Sequence, residues 1–70
     1  MNRFLRYSLL HQRRIKAVLM EQGKLSQINL TVTALDQTTF TYVSAKQKSP
    51  RTLPLSALMA AGYARGDTGE

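Results

Sequence analysis

The stretch Ile28-Asn29-Leu30-Thr31-Val32-Thr33-Ala34 decides how this chain folds. Apolar and polar residues alternate in it without interruption. Successive side chains of a β-strand point to opposite faces of a sheet, so this pattern is typical of a strand with one buried face and one wet face. The residues predicted to point into the core are Ile28, Leu30, Val32 and Ala34.

Extended segments are predicted on both sides of this strand. Before it, residues 15–20 alternate as a strand whose two faces are both partly covered, and Gln22-Gly23 is a turn signal. After it, residues 36–38 are polar and compatible with a turn. Residues 40–45 are rich in aromatic and β-branched side chains, which favour a further strand.

The last third of the chain predicts two more strands. Residues 51–55 alternate again, and Pro54 is tolerated there only at a sheet edge, because proline has no N–H to donate to a neighbouring strand. Ser56 is predicted to cap one tight helical turn, and residues 60–64 are long enough for a short closing strand.

The first residues predict a short amphipathic helix over 2–11, with Asn2 as its N-cap. A helix below about 12 residues is marginal in water, so it is expected to lie against the sheet and to expose Arg3 and Arg6. Its apolar side is predicted to comprise Phe4, Leu5, Leu9 and Leu10.

Together these elements predict a mainly β fold, in which a short N-terminal α-helix precedes a five-stranded antiparallel Sm/SH3-like barrel. Closure of the barrel would remove exposed strand edges. A chain of 70 residues has room for one hydrophobic core. Residues 1–64 are predicted to form a single helix-plus-barrel domain, and residues 65–70 a flexible C-terminal tail.

The chain is strongly basic, with ten Lys and Arg against four Asp and Glu and a formal charge of +6. Basic residues gather in two places, residues 13–16 and residues 46–51. Such clusters follow a phosphate backbone or another anionic surface, but they also occur as a solvated face that keeps a small domain in solution. Both interpretations are open at this point. The basic residues concerned are Arg13, Arg14, Lys16, Lys46, Lys48 and Arg51.

Three stretches, residues 13–17, 41–45 and 51–58, resemble parts of the bacterial WYL domains, which have an Sm-like barrel. Thr41-Tyr42-Val43-Ser44-Ala45 and the later Arg51-Thr52-Leu53-Pro54-Leu55-Ser56-Ala57-Leu58 are similar to that family's aromatic strand and the strand end that follows it. Arg13-Arg14-Ile15-Lys16-Ala17 is similar to an upstream strand of the family. The resemblance implies a regulatory role and a basic, aromatic surface that recognises nucleic acid or a charged ligand.

A second resemblance is to the bacterial Sm-like RNA chaperone, in which an N-terminal helix precedes five strands. Gly23 fits the glycine of that family's first turn, and Asp36 fits the aspartate that ends its second strand. The family's late Tyr-Lys-His triplet has no counterpart here, and Leu53-Pro54-Leu55 lies in that region. The resemblance therefore implies the fold but not the family's uridine pocket.

Residues for catalysis or metal binding are few. His11 is the only histidine, and it is expected to act near the helix end, where a cation is favourable. Glu21 and Asp36 are interpreted as turn or strand-end residues. One histidine, no cysteine and four scattered carboxylates give no metal-ligand spacing. The sequence thus predicts no enzyme, no cofactor and no metal.

The function predicted from the sequence is a non-enzymatic binding module for RNA or single-stranded DNA. The alternative is a protein-interaction or self-assembly module, including a homo-oligomer. A cytoplasmic, bacterial or phage setting without membrane contact is expected, because the chain has no Cys and no long apolar run. The residues predicted to contact nucleic acid are Arg13, Arg14, Lys16, Lys46, Lys48 and Arg51, with Tyr42 as an aromatic candidate.

Overall fold

The computed structural model describes residues 2–46 and 49–69. It is mainly β, with one short helix, as the sequence predicts. No helix among the described residues is both long enough and apolar enough to cross a membrane. In chain order the elements are α1 (Arg3–His11), β1 (Ile15–Glu21), β2 (Lys24–Leu35), β3 (Thr39–Ser44), β4 (Arg51–Pro54), a 3₁₀ turn (Leu55–Ala57) and β5 (Leu58–Tyr63).

The five strands form one antiparallel sheet in the order β4-β3-β2-β1-β5. Strands β4 and β5 are its two edges, so the sheet is open and the predicted closure into a barrel is not confirmed. The edge position of β4 agrees with Pro54 at the end of that strand. Ser56 lies inside the 3₁₀ turn and makes no capping hydrogen bond, so the prediction of a Ser56 cap is wrong.

Strand β2 follows the predicted alternation only as far as Val32. The pairing of β2 with β3 shifts between Val32 and Ala34, which places an extra residue in β2. Side chains beyond such a bulge change face, because their period along a strand is two. Ala34 is therefore exposed rather than buried, and Leu35 packs against the core in its place.

Strand β3 is shorter than β2 and pairs with only one half of it. The last pair joins Leu30 to Ser44, and residues 24–29 of β2 pair with β1 alone. On the side away from β1, residues 24–29 have no strand partner, and residues 45 and 46, which follow β3, lie near that side. This step in the sheet shapes the surface described below.

The core lies between the helix and one face of the sheet. Phe40 and Tyr42 stack their rings at 5.7 Å between centroids. Leu10 departs from the prediction, since it is 72% exposed and on the outer side of α1. The buried apolar residues are Leu5, Ile15, Ala17, Leu19, Leu30, Val32, Phe40 and Tyr42.

The helix is fixed at both ends by side-chain hydrogen bonds. The Asn2 side chain accepts from the N–H groups of Phe4 and Leu5, which confirms the predicted N-cap. Ser8 near the other end is fully buried, and its hydroxyl donates to the Arg13 carbonyl at 2.6 Å and accepts from Val32 N–H at 2.9 Å. Ser8 thus joins the helix to the chain after it and to β2.

Both predicted hairpin turns are present. Gln22 and Gly23 have positive φ values of 51° and 78°, the conformation that a two-residue hairpin loop requires. At the second turn the Asp36 carboxylate accepts from the N–H groups of Thr38 and Thr39. These N–H groups, Thr38 first, lower the pKa of Asp36, because they stabilise its charged form.

Candidate nucleic-acid interface

The two basic clusters of the sequence meet at one groove. Arg14, from the link between α1 and β1, and Lys46, from the chain after β3, both line it. Its volume is about 250 Å³, and it follows the stretch of β2 that β3 does not cover. Neither Arg14 nor Lys46 forms an ion pair within residues 2–46 and 49–69. The lining residues are Arg14, Gln27, Ile28, Asn29, Ser44, Ala45 and Lys46.

A second groove adjoins the first and shares Lys46 with it. This groove, about 420 Å³ in volume, opens on the core-bearing face of the sheet, at its uncovered end. Its apolar floor includes Leu19 and Ile28, and its polar rim includes Glu21, Lys46 and Arg51. It offers a cation beside an apolar surface.

Arg51 is held in place at the rim of the second groove. One of its guanidinium nitrogens lies 2.6 Å from a Glu21 carboxylate oxygen, and the other donates to the Tyr42 hydroxyl at 3.4 Å. The hydrogen bond to Glu21, more than any other contact, raises the pKa of Arg51. Arg51 is therefore a fixed cation whose charge is partly neutralised.

Tyr42 contributes only its hydroxyl edge to the surface. The residue is 2% exposed and its ring is stacked on Phe40, so it presents no open face to a base. Burial raises the pKa of Tyr42, and the nearby Arg51 opposes that shift. The ring belongs to the core, and its hydroxyl orients Arg51.

A third groove lies on the other side of Arg14. Arg13, Arg14 and Arg65 line it together with the C-terminal residues 66–68, and its volume is about 370 Å³. Asp67 supplies its acidic group, and its two carboxylate oxygens, at 2.9 and 2.8 Å, share the one proton that the Tyr7 hydroxyl donates. Arg13 lies 3.7 Å from the same carboxylate. Arg14 links this groove to the one that ends at Lys46.

No known protein family, curated protein or solved structure matches the chain. What the surface can bind is therefore a question of its shape and charge. The three grooves form a series, because the first and third share Arg14 and the first and second share Lys46. Arginine and lysine from four separate segments of the chain line this series.

One of the predicted basic residues, Lys16, lies outside the series. Lys16 is exposed on β1, where it borders a shallow and mainly apolar depression with Val18, Ala60 and Gly62. Its cross-strand partner is Asn29, a residue of the Arg14–Lys46 groove, so Lys16 flanks that groove. Lys48 lies outside the described residues.

The candidates for other chemistry are placed as follows. The His11 ring packs against Tyr7, with 5.0 Å between ring centroids. Glu21 pairs with Arg51, and Asp36 closes the turn between β2 and β3. The described residues contain no group of three His, Cys, Asp or Glu side chains close enough to hold a metal ion.

Three residues of this surface were not predicted: Tyr7, Arg65 and Asp67. The position of Arg65 could be predicted from the pairing of β1 with β5. In that pairing Ile15 lies opposite Tyr63, and the same antiparallel register, continued by two residues, places Arg65 opposite Arg13. This position can be predicted only once the pairing of β1 with β5 is known. Asp67 has no such signal, since it follows the last strand and is placed by Tyr7.

Asp67 is expected to titrate below the ordinary pKa of aspartate, about 3.9. The Gly69 N–H and then the Tyr7 hydroxyl lower its pKa by stabilising the carboxylate. A lowered pKa means that the contact is fully formed above about pH 4 and is lost as the pH falls through the lowered value. An NMR titration of the Asp67 carboxyl carbon and the Tyr7 ring protons measures this. A midpoint at or above the ordinary value would contradict the contact.

Proposed function

We propose that this protein binds RNA or single-stranded DNA along the series of grooves between Arg65 and Arg51. The observation that carries the proposal is the shared groove of Arg14 and Lys46, which come from the two basic clusters of the sequence. If the basic residues only kept the domain in solution, nothing would favour their placement in one concave site. A phosphate backbone passing through the grooves would meet cations at successive positions.

The charge balance of the surface supports the same proposal. All three carboxylates among the described residues already accept hydrogen bonds or an ion pair: Glu21 from Arg51, Asp36 from its own turn, and Asp67 from Tyr7. Arg14 and Lys46 are exposed, and neither forms an ion pair with a carboxylate among the described residues. Neutralising such charges with phosphates releases counterions and favours binding.

The dimensions of the surface favour a single strand. Volumes of about 250 to 420 Å³ are near the lower end of the range for small-molecule sites. A groove of this size suits one nucleotide-sized group. Because Tyr42 is buried, bases would contact the apolar floor at Leu19 and Ile28 rather than stack on an exposed ring.

Binding to a fluorescently labelled RNA oligonucleotide of about 12 nucleotides tests the proposal. Anisotropy titrations between about 50 and 200 mM salt are expected to give a Kd that rises steeply, with a slope of roughly 0.7 per phosphate contacted. A single-stranded DNA of the same length serves as a second ligand, and a duplex as the comparison. Micromolar protein that retains neither single strand at low salt would contradict the proposal.

The finer fold is part of the proposal. The strand order and the 3₁₀ turn before β5 support an Sm/SH3-like barrel with a WYL-like or Sm-like relationship. The extra residue in β2 and a second one in β5, Met59, where the pairing with β1 shifts between Val18 and Leu19, support curvature of the sheet. A closed barrel would need β4 to approach β5.

A second candidate function is self-assembly, and a different surface favours it. Met59 is 49% exposed and Leu25 is 62% exposed. The adjacent depression at Val18, Ala60 and Gly62 lies on the edge strand β5 and its neighbour β1. Light scattering separates the two candidates: a stable oligomer without salt-sensitive binding of nucleic acid favours assembly, and a monomer that binds favours the first.

A further inference from the structure

The Asp67 carboxylate is held in a small anion site that the folded domain supplies. Its two oxygens accept from the Tyr7 hydroxyl at 2.8 and 2.9 Å, and Arg13 approaches to 3.7 Å. Arg13 also donates to the Tyr7 hydroxyl at 3.2 Å. Tyr7 and Arg13 belong to α1 and the link that follows it, whereas the C-terminal residues supply the anion and one further donor, the Gly69 N–H, at 2.8 Å.

The donors of this site are positioned by packing that does not involve Asp67. The Tyr7 ring packs edge-on against Tyr63, with centroids 5.1 Å apart, and against His11 at 5.0 Å. Tyr63 in turn packs against Phe4 at 4.9 Å. These aromatic contacts tie the helix to β5 and fix the hydroxyl of Tyr7. The site is thus preorganised by the domain.

The groove that holds the site is rich in arginine. Arg14 and Arg65 line it together with Arg13 and Asp67. A phosphodiester resembles a carboxylate in its recognition, because each carries one negative charge shared over two oxygens. A hydroxyl donor and a guanidinium bind either group.

We propose that Tyr7 and Arg13 form a subsite for one backbone phosphate of the bound single strand, and that Asp67 occupies this subsite in the free protein. Binding of nucleic acid then displaces Asp67 from Tyr7. This inference rests on the proposed function and deepens it, since it names a subsite and a competitor within it. The apparent affinity is the intrinsic affinity multiplied by the fraction of free molecules in which Asp67 has already left the subsite.

The variant Asp67→Asn tests the competition, with Asp36→Asn as its matched control. Both changes raise the net charge by one, and asparagine retains an oxygen that can accept the turn hydrogen bonds of residue 36. Asp67→Asn is expected to bind the labelled RNA oligonucleotide about 3–10-fold more tightly, and Asp36→Asn less than twofold. Because the strand displaces Asp67 in the natural protein too, the complexes make the same phosphate contacts, and the slope of log Kd against log salt is expected to change by less than about 0.7, one contact, in either variant.

The variant Tyr7→Phe in the Asp67→Asn background identifies the donor. It removes only a hydroxyl, and it is expected to reverse at least half of the gain in affinity. Asp67→Ala, which removes the competitor altogether, is expected to bind at least as tightly as Asp67→Asn. Thermal unfolding of each variant checks that the fold is retained.

The outcomes separate this inference from the function on which it rests. If the natural protein binds but Asp67→Asn and Asp67→Ala bind no more tightly than Asp36→Asn, the subsite is wrong and the proposed function stands. If no variant binds the oligonucleotide at low salt, the proposed function fails and the subsite fails with it. A gain in Asp67→Asn that Tyr7→Phe leaves unchanged overturns the role of Tyr7.

Discussion

Replacing Ser8 by alanine is expected to lower the free energy of unfolding by about 2–4 kcal/mol. The Ser8 hydroxyl is fully buried and satisfies two groups, the Arg13 carbonyl and the Val32 N–H. Alanine leaves the buried Val32 N–H and the partly buried Arg13 carbonyl without this partner, and an unsatisfied buried group costs about 1–3 kcal/mol. A domain of this length has a total stability of roughly 4–10 kcal/mol, so the loss is large.

Urea unfolding followed by circular dichroism measures this loss, and Ser56→Ala is the matched control. Ser56 is exposed and makes no capping hydrogen bond, so its replacement is expected to change the stability by less than about 0.5 kcal/mol. A loss below about 1 kcal/mol in Ser8→Ala would show that the hydroxyl does not join the helix to β2. An equal loss in both variants would contradict the account as well.

Ser8 also illustrates what the sequence does not reveal about the fold. The alternation in residues 28–32 and the glycine of the first turn predict strands and a hairpin, and those predictions are confirmed. A serine in a short amphipathic helix gives no sign of burial, because its partner Val32 is 24 positions away in the chain. The long-range contact decides the burial of Ser8.

The bulge in β2 was unpredictable for a related reason. The alternation continues through Ala34 in the sequence, and only the pairing with β3 introduces the extra residue between Val32 and Ala34. The exposure of Leu10 follows from how α1 lies on the sheet. The helical periodicity of the sequence does not predict that orientation. Local pattern thus predicts the elements, and pairing and docking determine the exceptions.

The double variant Arg14→Gln/Lys46→Gln is expected to weaken binding of the labelled single strand at least tenfold at low salt. A tenfold loss corresponds to about 1.4 kcal/mol of binding free energy, or about 0.7 kcal/mol for each of the two cations removed. Both side chains are exposed, and neither forms an ion pair among the described residues, so the fold is expected to tolerate the change. Anisotropy titration measures the affinity, and circular dichroism checks the fold.

The matched control is Arg6→Gln/Lys24→Gln, which removes one arginine and one lysine elsewhere. Arg6 and Lys24 are exposed and line none of the three grooves. If binding depended on net charge alone, the two double variants would weaken it equally. The account predicts that the control loses less than about threefold. Equal losses of affinity in the two double variants would show that the strand is held by a diffuse electrostatic attraction and not by the groove.

The candidate site was only partly visible in the sequence. The two basic clusters are evident from composition, but their meeting at Arg14 and Lys46 depends on the register of β2 with β1 and β3. The same packing removes Tyr42 from the surface, because its alternation with Thr41 and Val43 directs the ring into the core. Charge can be counted from a sequence, whereas concavity arises from the pairing of strands.

The salt dependence of binding, measured on the natural protein and on Arg14→Gln/Lys46→Gln, tests the central claim most directly. Without its two cations the shared groove no longer neutralises two phosphates, so the slope of log Kd against log salt is predicted to fall by about 1.4. No such change is predicted in Arg6→Gln/Lys24→Gln. A slope that is the same in the natural protein and in Arg14→Gln/Lys46→Gln would contradict the claim that these two residues hold the phosphates of a bound strand.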